Sequence, residues 1–356
     1  MRAAVLKGPK DLHVMDVPKP AADDEYMIIE VKACGICGSD IRYYNGENPW
    51  ALHTLGKSIP NPPNIILGHE WGGIVHEVAN PAFREWEGRR AAILAFKTCG
   101  VCDNCRSGNF NLCQKTLHIG HGAGWGTRDF YPGGMATYCQ IWNTHVCEIP
   151  DSMSFDEATL LDPLSVAIHA ITRSGIQPGD DVLVMGTGPV GLCIAQAVRA
   201  FGANKVICTD VLDFSLQLAD ELGADAVVKA GRDSVRDALD SLGLRNVHVV
   251  FDTVGTAESQ REGLLNLKES GTMVNLVVNN TKICYRLLDL AGERRVTSSA
   301  NNRTEDFLLG IKLIANGTVN ARKMITHTFA LEDVQKGFDV MLQKDKQPVM
   351  KVVIRP

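Results

Sequence analysis

Seven consecutive residues, Cys34-Gly35-Ile36-Cys37-Gly38-Ser39-Asp40, set a thiol, a hydroxyl and a carboxyl within four positions of a segment bent by two glycines. A thiolate can hold a metal, and a hydroxyl two residues on can reach the metal's free position and pass a proton. The same C-x2-C spacing suits a redox pair equally well. Downstream, the apolar run Ile65-Ile66-Leu67 delivers Gly68-His69-Glu70, an imidazole beside a carboxylate. Taken alone, that pair is more often a satisfied histidine next to a surface acid. Cys99, Cys102, Cys105 and Cys113 then follow as C-x2-C-x2-C-x7-C among Gly100, Asp103, Asn104 and Gly108. A loop this polar has no core in which to bury four thiols, and the spacing matches a tetrahedral zinc with a closed shell.

A fourth group of residues binds phosphate rather than metal. Gly186-Thr187-Gly188-Pro189-Val190-Gly191 lies between the apolar run Asp181–Met185 and the helical pattern Val190–Ala200. In that setting the first glycine makes a tight turn, the second admits a pyrophosphate to the backbone, and the third packs helix on strand. The helix start supplies the positive dipole end. Asp210 ends the next strand, nineteen residues after Gly191. A carboxylate there accepts hydrogen bonds from adenosine ribose hydroxyls and repels a 2′-phosphate, so NAD is expected over NADP. Asp252-Thr253-Val254-Gly255 ends a further strand, as cofactor lining or as a plain turn.

The elements that must position these groups differ along the chain. Residues 1–33 alternate short β-type runs (Ala3–Leu6, Leu12–Val14, Tyr26–Val31) with Gly8-Pro9, Pro18 and Pro20. Residues 45–63 form a polar stretch without period, long enough to suspect function. From about residue 151 the texture changes. Asp162 and Pro163 are expected at the N-cap and first position of a helix. Strands at 181–185, 205–209, 247–251 and 272–278 then alternate with helices at 190–200, 215–222 and 258–268, the pattern of a parallel, doubly wound sheet. Helices near 304–316 and 331–343 and a strand at 349–354 close the chain.

Composition bounds the function. With 36 basic against 41 acidic residues the net charge is −5, which offers no electrostatic case for nucleic acid or an anionic membrane. No stretch approaches the ~18 apolar residues of a membrane span. The start of the chain lacks a signal-peptide pattern. Eleven cysteines with four clustered suit metal thiolates in a reducing compartment, so a cytoplasmic protein is expected.

Taken together, CGICGSD, GHE, the cysteine cluster and the fingerprint resemble the zinc-dependent medium-chain alcohol dehydrogenase family over essentially the whole chain, nearest the polyol (sorbitol-type) and L-threonine dehydrogenase branches. The resemblance implies an α/β protein. Residues 1–151 and 295–356 would form a GroES-like β-rich catalytic domain, and 152–294 a Rossmann NAD-binding domain, with a catalytic zinc in the cleft between them. It implies that Cys37 and His69 bind that zinc, that Glu70 sits beside it and can enter its shell, and that Asp162 holds the third protein position. Ser39 would take the substrate's proton and Asp40 would orient His69. Cys99, Cys102, Cys105 and Cys113 would hold a structural zinc, making two Zn2+ per subunit. Cys34 matches no ligand, so the redox-pair reading loses.

Three departures stand out. Asp162 replaces the Cys or Glu usual in the family's alcohol and polyol branches, as in threonine dehydrogenases. Arg42 replaces a histidine that ends the proton relay; arginine has no acceptor nitrogen, so it is expected instead to bind the cofactor's pyrophosphate. Glu77-Val78-Ala79 and Gly88-Arg89-Arg90 alter a surface turn. The expected activity is reversible oxidation of a secondary alcohol, polyol or sugar-like, by NAD in a homodimer or homotetramer. The alternatives are oxidation of an amino alcohol such as L-threonine and, in another class, a non-catalytic NAD- or zinc-binding protein. Tyr43, Tyr44, Asn45, Glu47, Asn48, Trp50, His53 and the loop 120–134 are expected to wall the pocket.

Overall fold

The β-branched and apolar runs of the first third form strands because each can bury one face. In the computed structural model, which describes residues 1–356, Arg2–Gly8 pairs antiparallel with Asp11–Asp16 and with the short strand Ile65–Ile66. A seven-stranded sheet is centred on Tyr26–Gly35, which bonds to Glu70–Val78, to Tyr138–Trp142 and, near its end, to the C-terminal strand Lys351–Arg355. Its core contains Met27, Ile29, Trp71, Trp142, Phe338 and Ile354. The polar stretch 45–63 is not wholly irregular: it contains the helix Pro49–Leu55. The Asn48 side chain caps it by accepting from the Ala51 N–H, and a left-handed Gly56 ends it.

The second half forms the expected parallel sheet, with six strands where four were read from the sequence. Its order is Ala226–Lys229, Val206–Asp210, Val182–Met185, Val247–Asp252, Leu267–Asn275, Arg295–Ser298. The order of strand addition reverses at Val182–Met185, which puts the switch point at the end of that strand, where such sheets bind ligands. The strand Ala226–Lys229 and the helix Val235–Ser241 were not anticipated, because four-residue and seven-residue runs between polar segments carry too little period.

Contacts divide the chain into Met1–Asp162 with Ala321–Pro356, and Pro163–Asn320. Both crossings come later than the change in texture suggests. Phe155–Ala158, capped by Ser154 and Glu157, is tied to the first unit by the ion pair of Asp156 with Arg355. Arg295–Ser298 belongs to the parallel sheet of the second. The helix containing Asp162 also starts earlier than expected, spanning Leu161–Ser174. Asp162 is therefore inside the first turn rather than at its cap, and Pro163 follows within that turn, where a missing N–H costs nothing. No helix is long and apolar enough to cross a membrane.

Candidate active site and metal centres

The central strand Tyr26–Gly35 ends just before Cys37, and the helix Gly38–Tyr44 begins just after it. Asp40, at the third position of that helix, is fully buried, and its Oδ2 accepts from the Cys37 N–H at 2.8 Å. Its other oxygen, Oδ1, faces His69 Nδ1 at 3.7 Å, and both atoms are buried without a hydrogen-bond partner. His69 arrives through Gly68, whose φ of +96° suits glycine, and a Cβ there would lie 2.4 Å from Cys34 Sγ. Cys34 itself is fully buried, and burial raises its thiol well above the ordinary value, so it packs as a neutral core side chain.

The donor atoms of Cys37, His69 and Glu70 lie within 4.8 Å of one another. His69 is 7% exposed and Glu70 3%. Sulfur, imidazole nitrogen and carboxylate oxygen together are a zinc donor set. Burial alone would lower the His69 imidazole; the Asp40 carboxylate and the Cys37 thiolate outweigh it and raise it well above its ordinary value. The cluster therefore favours added positive charge at its centre. Glu70 is ion-paired with Lys351, 1% exposed, whose ammonium also donates to the Ile36 carbonyl at 3.4 Å. Lys351 lies 281 positions from Glu70, and the sequence reading missed it. Ser39 follows Cys37 by two positions in the first turn of its helix. Asp162 is half-buried at the start of Leu161–Ser174.

The second cluster is closed. Cys99, Cys102, Cys105 and Cys113 form one group, with Sγ···Sγ distances of 3.6 Å for Cys99–Cys113, 3.9 Å for Cys102–Cys113 and 4.0 Å for Cys99–Cys105. A tetrahedron with metal–sulfur bonds of ~2.3 Å has edges of about 3.8 Å, so the four thiols fit zinc. The N–H groups of Cys102, Cys99 and Lys115 each point at a sulfur at 3.4 Å, the first at Cys99 and the other two at Cys113, whose thiol burial still pushes up to about 12. Backbone N–H groups of Val101 and Cys102 hold the Cys99 thiol down to about 6.

In the parallel unit, Gly186 continues from Val182–Met185 and Gly188 caps the helix Pro189–Ala197. Gly191 is packed so tightly that a Cβ would fall 1.9 Å from the Gly186 carbonyl oxygen. Asp210 Oδ2 accepts from the Thr187 N–H at 2.7 Å and Oδ1 from the Leu212 N–H at 2.9 Å, so the acid already grips the fingerprint turn. It lines a cavity of about 740 Å³ with Gly186, Val211, Val228, Ser234 and Val235. The basic groups beside that cavity are paired, Lys229 with Asp213 at 2.7 Å and Arg232 with Asp233 at 2.9 Å. Asp252 accepts from the N–H groups of Val254 and Gly255, from Ser259 and from Gln260, which makes it the anchor of its own turn.

The profile of the alcohol dehydrogenase GroES-like domain matches residues 23–151, and that of the zinc-binding dehydrogenase matches 189–316. Sorbitol dehydrogenase of Bacillus subtilis (strain 168) is 30% identical, covering 100% of this chain and 97% of that protein. The chain belongs to the zinc-dependent medium-chain alcohol dehydrogenase family. It is accordingly an oxidoreductase. Sorbitol dehydrogenase 2 of Saccharomyces cerevisiae is 31% identical, over 99% of this chain and 98% of its own. The solved structure of 2R,3R-butanediol dehydrogenase from Bacillus subtilis superposes with a TM-score of 0.86 at 25% identity, covering 100% of this chain and 99% of that one.

Several residues of this dehydrogenase expected to wall the pocket also make defined contacts within the fold. Tyr44 packs on Phe338, Asn45 and Asn48 cap helices, and Glu47 pairs with Arg42. Arg42 Nε donates to Glu47 Oε2 at 2.8 Å, so the arginine expected at the cofactor has a neighbour on its own segment. Tyr43 stacks on His121, and His121 lies against His118. The two histidines are spaced H-x2-H; His121 lies within the segment 120–134 expected to wall the pocket, and His118 lies just before it.

Proposed function

We propose that this dehydrogenase oxidises a secondary carbinol of a polyol or sugar-like substrate with NAD and catalyses the reverse reduction. The observation that carries the proposal is the Cys37/His69/Glu70 donor group, half-buried at Cys37 and buried at His69 and Glu70, backed by Asp40, with Ser39 two residues beyond the thiol. Sorbitol and 2R,3R-butanediol, named for the relatives, are both polyhydroxy compounds.

Cys37, His69 and Glu70, with Asp162 as a further donor, would hold a catalytic zinc, and Cys99, Cys102, Cys105 and Cys113 a structural one, giving two per subunit. When bound, the catalytic zinc supplies Lewis acidity that lowers the pKa of a substrate hydroxyl. Ser39 Oγ would take that proton while passing its own hydroxyl proton on towards the cofactor ribose. Asp40 fixes the Cys37 backbone with one oxygen and steers His69 with the other. Lys351 sets its ammonium against the Glu70 carboxylate where both are buried. NAD supplies the hydride acceptor. Gly186, Gly188, Pro189, Val190 and Gly191 receive its pyrophosphate and Asp210 its ribose hydroxyls. Asp210, with Lys229 and Arg232 already paired, disfavours a 2′-phosphate. The terminal nitrogens of Arg42 remain for the pyrophosphate while its Nε holds Glu47.

A homo-oligomer in the cytoplasm is part of this reading. The strand Arg295–Ser298 is an open edge of its sheet, and Leu287 and Leu288, which precede it in the chain, are 91% and 71% exposed. The amino-alcohol alternative rests on Asp162, the shorter acid at that position.

The test is NADH formation with a panel of polyols, sugars, simple secondary alcohols and L-threonine. Turnover of polyols is expected. Turnover confined to L-threonine would replace this substrate class, and equal use of NADP would remove Asp210 from its assigned role.

A further inference from the structure

We propose that His118 and His121 together bind the hydroxyl adjacent to the reacting carbinol, so that this site selects vicinal diols over isolated secondary alcohols. The inference rests on the polyol reading above and narrows it.

The two rings lie 3.8 Å apart between centroids and are inclined at 31°. Each is one ring away from the candidate zinc ligand: His118 lies 5.8 Å and His121 6.3 Å from His69, edge-on. Both are held from behind. His118 stacks on Phe96 at 5.8 Å and 20°, and His121 on Tyr43 at 5.0 Å and 12°. Tyr43 is locked in turn, because its hydroxyl accepts from the Trp50 N–H at 3.1 Å and Trp50 Nε1 donates to Thr116 Oγ1 at 2.9 Å. The Trp125 indole donates to the His118 carbonyl at 2.7 Å.

The nitrogens have defined roles. His118 Nδ1 lies 2.9 Å from the Ile119 carbonyl oxygen, which only a protonated nitrogen can satisfy, so Nε2 carries the lone pair. His121 is 5% exposed, and its Nδ1 is buried with no hydrogen-bond partner. An unpaired buried polar atom is costly, and phenylalanine would stack on Tyr43 or Phe96 without that cost. A hydroxyl offers one donor and two lone pairs, so it can give its proton to His118 Nε2 and complete His121 at once. An isolated secondary alcohol has no second hydroxyl to do so and leaves these nitrogens unmet.

The experiment compares 2,3-butanediol with 2-butanol in the zinc-loaded enzyme and in His118→Phe, His121→Phe and the double variant. Zinc content and thermal midpoint are measured in each. The ratio of kcat/KM for the diol to that for 2-butanol should fall about tenfold per ring, the loss lying mainly in KM for the diol. Calorimetric titration of 2,3-butanediol should show the same loss of binding without turnover. His121→Gln, which keeps a donor and an acceptor, should retain more of the preference than His121→Leu, which keeps neither. That pair also serves if a phenylalanine variant does not fold. An unchanged diol preference in folded, zinc-loaded variants overturns the proposal. If the wild type oxidises no alcohol, the polyol reading fails, and calorimetry alone then judges the histidines: diol binding lost in the variants supports them, and diol binding absent or unaltered rejects them.

Discussion

Lys351 is 1% exposed and pairs with Glu70, itself 3% exposed, beside the Cys37 and His69 donors. Burial alone would lower the ammonium's pKa; Glu70 and the Cys37 thiolate more than reverse this and raise it. The pair costs desolvation on both sides, so its value appears mainly when one member is lost. Lys351→Met leaves a buried carboxylate uncompensated and should destabilise the protein by about 3–5 kcal/mol in urea unfolding near neutral pH. Adding Glu70→Gln should recover part of that loss. If the double variant is as unstable as the sum of the singles, the two residues are not coupled.

At the scale of elements, the lobe from Cys99 to Cys113 contains only the helix Asp103–Arg106 and the turn Phe110–Leu112. Val101, Phe110 and Leu112 are 61%, 50% and 44% exposed, so the lobe buries little apolar surface of its own. Its order must come from the four thiolates and what they hold. Chelation should therefore open protease sites between residues 99 and 113 before the rest of the chain unfolds. Cys105→Ser should lower the zinc content by about one per subunit and reproduce that cleavage pattern without a chelator. Cleavage spread evenly along the chain would show instead that the lobe is ordered by packing.

At the scale of the molecule, buried neutral histidines set a pH dependence. Burial lowers His118 to about 3 and His145 to about 4, and takes His121 well below its ordinary value of 6.5. Below about pH 6.5 the unfolded chain binds protons that the folded chain refuses, so stability falls as pH falls. Between about pH 6.5 and 5, before carboxylates contribute much, each such histidine adds a slope of at most about 1.4 kcal/mol per pH unit. His145→Gln lies away from the candidate site and should flatten the curve of urea midpoint against pH; an unaltered slope would mean that His145 titrates normally. The open edge Arg295–Ser298 with Leu287 and Leu288 belongs to this scale too. Leu287→Glu with Leu288→Glu should give a smaller species by light scattering if a second copy covers that edge.

Features that depend on local spacing were legible without coordinates. Four cysteines within fifteen positions can meet only in one lobe, and Gly186 to Gly191 between a strand and a helix can make only one kind of turn. The parallel sheet was legible because its apolar strands recur between helical periods. Short elements were not: Pro49–Leu55 and Ala226–Lys229 lack the length for a period to show, and the helix at Asp162 starts before its proline. What only the tertiary structure decided was the set of contacts between distant segments. The C-terminal strand sets Lys351 against Glu70, the segment after the cysteine lobe brings His118 and His121 to His69, and Asp210 folds back on Thr187. A buried lysine or an orphaned imidazole carries no periodicity of its own. Its meaning comes from the low-dielectric surroundings and the partner that folding brings beside it.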